Sequence, residues 1–117
     1  MADAGIFIGF GQPARGREQV ALQSFNEATG HFAALQQSGE IESFEAVLLE
    51  PHGGDLGGFI LLRGSADSLA HVRVSESFQH LIARAGLCVD GMGVVGAHIG
   101  EGLMREMTYY GEQVAKL

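Results

Sequence analysis

Residues 41–63, IESFEAVLLEPHGGDLGGFILLR, hold the reading that decides the fold. Two strand-like runs flank Pro51-His52-Gly53-Gly54-Asp55-Leu56-Gly57-Gly58, a segment suited only to a turn or a flexible hairpin loop. The first run, residues 41–50, carries Glu42, Glu45 and Glu50, as an exposed sheet edge would. The second, Phe59-Ile60-Leu61-Leu62-Arg63, is apolar in both parities. A strand covered on one face alternates apolar with polar, whereas a strand covered on both reads as a continuous apolar run. The hairpin therefore joins an edge strand to a central one.

Upstream, residues 5–11 predict a short strand with Ile6, Ile8 and Phe10 on one side, and Gly5, Gly9 and Gly11 beside Phe7 on the other. Between about residues 15 and 37, Ala21, Phe25, Ala28, Phe32 and Leu35 recur at intervals of four and three. That is one buried stripe of a helix, stopped by Ser38-Gly39. Downstream, a helical region opens near Ser65. Leu69 and Val72 share one phase, while Phe78, Leu81, Ile82 and Ala85 share another. The phase change predicts a break near Val74, with Ser75 capping a fresh helix that ends at Gly86. Residues 89–99 read as a fourth strand. After Gly102 a last helix repeats the spacing with Leu103, Met107, Tyr110, Val114 and Leu117.

The order is β-α-β-β-α-β plus a C-terminal helix, an α+β split βαβ arrangement. Right-handed crossovers place the first and third strands at the centre of the sheet. Those are the two strands without internal acids, so pattern and topology agree.

The 117 residues predict one domain over 1–117, and 46% hydrophobic content supplies a core. Net charge is −7, Lys116 is the only lysine, and the six arginines are scattered. No basic patch follows a phosphate backbone or an anionic bilayer, so neither nucleic acid nor membrane is an expected partner. The apolar run of residues 6–10 falls short of the roughly 20 residues a membrane span needs. A single cysteine, Cys88, forms no internal disulfide, which fits a reducing, cytoplasmic setting.

Two crossover helices cover one face of a four-stranded sheet. Phe59-Ile60-Leu61-Leu62, and the nearly continuous run from Met92 to Ile99, ask for cover on the other face as well. The candidates are the C-terminal helix and a second copy of the chain. One terminal helix is narrow for four strands, so a homodimer through facing sheets is the expectation.

These features resemble the dimeric α/β-barrel superfamily, in which two ferredoxin-like subunits face their sheets together. Within it the chain resembles the YCII-related proteins at His31-Phe32-Ala33-Ala34-Leu35-Gln36-Gln37-Ser38-Gly39 and at Gly57-Gly58-Phe59-Ile60. In that family an Asp-Pro-Phe element follows in the second helix, its aspartate partnering the histidine. Here Glu76-Ser77-Phe78 stands instead, without the proline. The resemblance implies cofactor-independent proton transfer or oxygenation of a small organic molecule. His31 would be the base, Glu76 an orienting acid and Arg63 an anchor for substrate charge.

Other residues carry plainer readings beside the functional one. His31 borders the buried stripe and suits a general base or a helix-edge histidine. His98 suits a cleft-lining residue or a strand-end histidine. Met104, Met107, Tyr109 and Tyr110 give the last helix a soft aromatic face, for core, dimer contact or the wall of an apolar pocket. His52 with Glu50 and Asp55 reads as a polar turn, and no histidine pair has the spacing of a zinc helix, so no metal is expected. Gly91-Met92-Gly93-Val94-Val95-Gly96 matches a dinucleotide fingerprint but falls inside a strand, so no nucleotide cofactor is expected either. Cys88 has no basic neighbour to activate it. Bare glycine faces in the first and fourth strands allow close packing or a pocket. Three functions of different class follow: an enzyme, a binder of a small apolar molecule in one pocket per subunit, and a purely structural dimer.

Overall fold

The computed structural model describes residues 2–117. Strands β1 (Ala4–Phe10), β2 (Ser43–Leu48), β3 (Gly58–Gly64) and β4 (Gly93–His98) form one sheet in the order β2-β3-β1-β4, with antiparallel neighbours throughout. Helix α1 (Glu18–Ser38) links β1 to β2. Helices α2 (Ala66–Val74) and α3 (Glu76–Gly86) link β3 to β4, and α4 (Gly100–Val114) follows. The acidic strand is an edge and the continuously apolar one is central, as their compositions require. This is the ferredoxin-like α+β arrangement.

The core lies between the helices and one face of the sheet. Ile6 on β1 pairs with Leu62 on β3, and Ile8 with Ile60. All four point into a layer closed by Phe32 and Leu35 of α1, Leu69 and Val72 of α2, and Phe78 of α3. Phe32 and Phe78 are each 1% exposed with ring centroids 6.4 Å apart. Full burial of side chains this size contributes about 1.5–3 kcal/mol apiece.

Local chemistry sets the element ends. Gly39, at φ 84°, ends α1 in the left-handed conformation, its N–H reaching the carbonyls of Gln36 and Leu35. Ser75 separates α2 from α3. Its hydroxyl donates to the Val72 carbonyl at 2.6 Å and accepts from the Phe78 N–H at 3.4 Å, so one side chain closes one helix and opens the next.

Two boundaries differ from the sequence reading. The fourth strand begins at Gly93 rather than near Val89, and α4 begins at Gly100. Gly91 has φ 61° and turns the chain ahead of the strand. The residues before it bond elsewhere: Cys88 O accepts from Ala14 N–H at 2.7 Å, and Asp90 N–H donates to Gln12 O at 2.9 Å. Asp90 therefore does not share a strand face with His98.

The second face of the sheet is bare in this chain. It presents Phe7, Phe59, Leu61 and Val95, with the Phe7 and Phe59 rings stacked at 5.1 Å. Val95 is 54% exposed. Helix α4 does not fold across them. Leu103, Met107, Tyr110 and Val114 keep 49–66% of their surface exposed, and the molecule measures 52 × 37 × 22 Å. Its radius of gyration, 15.9 Å, exceeds the about 13 Å of a rounded chain of similar length, because α4 projects.

Candidate functional site

The cavity opens where the helices leave the sheet. At the C-terminal end of β1, α1 and α3 diverge from the sheet and enclose about 840 Å³. The floor is the exposed end of the core, made of Ile8, Ile60 and Phe32. Helix α1 contributes Ala21, Ser24, Phe25 and Ala28, so the stripe that packs the core at Phe32 and Leu35 lines the cavity one and two turns earlier. Helix α3 contributes Leu81, Ile82 and Ala85, and Met92 closes the far side. The volume falls within the range typical of ligand pockets, and the lining is mostly apolar.

The mouth is made of three loops held together through their backbones. Gly11 N–H donates to Asp90 O at 2.7 Å, Gly57 N–H to Phe10 O at 2.7 Å, and Leu49 N–H to Gly57 O at 2.9 Å. A side chain at position 11 would press its Cβ to 2.7 Å from the Asp90 carbonyl oxygen, so glycine is what lets these loops meet. The hairpin loop carries Leu48, Leu49 and Leu56 onto the rim, where each remains 37–73% exposed.

His52 braces that loop from within. Gly54 N–H donates to its Nδ1 at 3.1 Å, and its Nε2 lies 2.8 Å from the Leu56 carbonyl oxygen. An acceptor at Nδ1 leaves the ring proton on Nε2, which donates to Leu56. The Glu50–His52–Asp55 segment is thus a polar turn, and the described residues contain no group of three or more side chains placed to hold a metal.

The residues singled out from sequence lie apart from this cavity. His31 is partly buried on α1, its Nε2 enclosed without a hydrogen-bond partner among the described residues. Glu76 points to solvent with its side chain 87% exposed, 3.9 Å from His80 Nε2. The two form no dyad within the chain, because the first turn of α3 directs Glu76 outward. Arg63 belongs to the bare sheet face, where it pairs with Glu45, and the sheet separates it from the cavity. His98, at the end of β4, lies 3.9 Å from Glu106, and Tyr110 is 66% exposed on α4. None of these five lines the cavity.

The glycine face of β1 is filled: beside Gly9 the space is taken by the Phe7 ring and Leu56, and beside Gly5 by Leu61, whereas nothing lies within 4 Å of a Cβ built at Gly93 on β4. Cys88 is 3% exposed, buried behind the first loop.

No family model matches the chain, and no curated protein matches it. Solved structures do. A dimeric protein of unknown function and ferredoxin-like fold from Bacteroides fragilis superposes with a TM-score of 0.58 over 82% of this chain and 96% of its own, at 14% identity. SnoaB, a cofactor-independent oxygenase from Streptomyces nogalater, superposes with a TM-score of 0.54 over 85% of this chain and 95% of its own, at 13% identity.

The fold is ferredoxin-like. Within that fold the cavity occupies the space between sheet and crossover helices, at the end where the β2–β3 loop and the loop after β1 meet. Sequence reasoning expected an apolar pocket in each subunit but missed its lining, which comes from α1, α3, the loop after β1, the β2–β3 hairpin and the segment before β4. The available signals were Ala21, Phe25 and Ala28, which continue the α1 stripe beyond the core, and a hairpin loop carrying leucines beside glycines.

Proposed function

We propose that this chain is a small-molecule-binding protein that works as a homodimer through its bare sheet faces, with one apolar cavity per subunit. The observation that carries the binding reading is the cavity of about 840 Å³ floored by core residues. The dimer reading rests on half-buried Phe7, Phe59 and Leu61 beside exposed Val95 on one sheet face, and on α4 presenting an exposed apolar stripe. The structurally similar Bacteroides protein is described as dimeric, which agrees. Binding rather than chemistry is favoured because the base-capable side chains of the cavity, Glu18, Glu50 and His52, sit at its mouth, and His52 already uses both ring nitrogens.

A catalytic reading has two supports. His31 Nε2 is buried and unpartnered, and a protein of similar fold is an oxygenase that needs no cofactor. The likeness to YCII-related proteins belongs here, with His31 as base; Glu76, turned to solvent, does not reach it within the chain. Substitution His31→Ala separates the readings: binding retained with a turnover lost would favour the enzyme, and unchanged behaviour removes the base.

The native mass of freshly purified protein, set against its denatured mass, tests the main reading. A dimer carrying small-molecule mass that is lost on denaturation is the expected result. A monomer would overturn the facing sheets.

A further inference from the structure

The cavity differs sharply in polarity and charge along its length. Its floor and helical walls are mostly hydrocarbon and aromatic, from Ile8, Phe25, Phe32, Ile60, Leu81 and Ile82. Its ionisable lining groups are Glu18, Glu50 and His52, and no lysine or arginine lines it among the described residues. Two arginines beside the lining elements are engaged elsewhere: Arg17 bonds the Leu87 carbonyl, and Arg84 lies 3.6 Å from Glu27. Arg15, on the same loop as Arg17, is not part of the lining. An anion entering this space would pass two carboxylates and lose its hydration with no cation to replace it.

One polar group lies deeper. Ser24, on α1, is 4% exposed and lines the cavity. A helical serine or threonine often returns its hydroxyl to the carbonyl one turn back, as Thr108 does to Met104 at 3.0 Å. Ser24 does not, and no hydrogen bond joins its hydroxyl to any described residue. A ligand that displaces water from beside that hydroxyl without replacing its hydrogen bond loses affinity.

From these two observations we infer that the cavity takes an uncharged apolar molecule bearing a hydrogen-bonding oxygen, received by Ser24, and rejects the corresponding carboxylate. The inference rests on the binding reading above and specifies its ligand class. Ser24 is then the specificity-determining residue, and fatty acids and aryl carboxylates are excluded by the same geometry that admits ketones, amides and alcohols.

Three probes of one ring system test it by fluorescence titration: naphthalene-2-carboxamide, naphthalene-2-carboxylate and 2-ethylnaphthalene. The amide and the carboxylate are nearly isosteric, so their difference reports charge. The amide is expected to bind at least about tenfold more tightly. Ser24→Ala is expected to weaken the amide roughly two- to tenfold, the effect of one hydrogen bond, while leaving 2-ethylnaphthalene unchanged. Equal binding of amide and carboxylate would overturn the exclusion of anions. An amide indifferent to Ser24→Ala would overturn the role of Ser24. Saturable binding of none of the three would overturn the cavity reading itself, a result distinct from either.

Discussion

His52 Nε2 lies 2.8 Å from the carbonyl oxygen of Leu56, across the loop that forms the outer lip of the cavity. With Gly54 N–H on Nδ1, the neutral ring satisfies a donor and an acceptor of the same loop at once.

Substitution His52→Ala is therefore expected to speed amide hydrogen exchange across residues 52–57 and leave the core helices unaffected. Global stability should change by less than about 1 kcal/mol, because the loop is solvent-exposed. Exchange measured by mass spectrometry checks this, and unchanged protection of the loop would contradict it.

Val95 stands opposite Phe7 on the bare sheet face. Val95→Asp places a charge within the proposed dimer contact, where an unpaired charge costs several kcal/mol on association. In the separate chain the position is exposed, and the fold should survive. Sedimentation should find a folded monomer. A folded Val95→Asp dimer would show that the subunits meet elsewhere.

Arg63 gives a complementary expectation. Because it pairs with Glu45 on that same face, Arg63→Ala should leave ligand affinity within about twofold and alter only self-association. A large loss of ligand binding in the folded variant would return Arg63 to the site.

Phe78 is 1% exposed and packs on Phe32 without lining the cavity. Phe78→Ala should cost about 3–5 kcal/mol, through lost burial and the space left behind. Denaturant unfolding measures this directly. A cost below about 1 kcal/mol would mean that α3 is not fastened to the core as described.

Much of this architecture is written locally. The 3-and-4 spacing of Phe25, Ala28, Phe32 and Leu35 fixes α1. The phase change at Val74 and the hydroxyl of Ser75 fix the α2–α3 break. The contrast between Glu42, Glu45 and Glu50 and the run Phe59-Ile60-Leu61-Leu62 assigns edge and centre. Each of these depends on neighbours within a few positions. The cavity does not. Ile8, Ser24, His52, Leu81 and Met92 are brought together by crossover geometry, which hydropathy alone does not encode. The side chains with conspicuous chemistry drew notice first: Arg63 lies on the far side of the sheet from the cavity, Glu76 points to solvent, and His31 has a buried nitrogen without a partner. The start of β4 was misjudged for a related reason. Val89 is apolar and strand-like, yet it is bridged to Pro13 in the loop after β1, and Gly91, at φ 61°, turns the chain before the strand begins.

Ala28 lines the cavity from α1, one turn before Phe32, and offers the most direct test of the central claim. Titration of naphthalene-2-carboxamide into wild-type protein and into Ala28→Phe, with folding verified by circular dichroism, compares an open cavity with a filled one. The expected result is one saturable site per chain in the wild type and at least about a tenfold loss of affinity in the variant. Equal affinity in the two proteins would place the ligand elsewhere and contradict the assignment of this cavity.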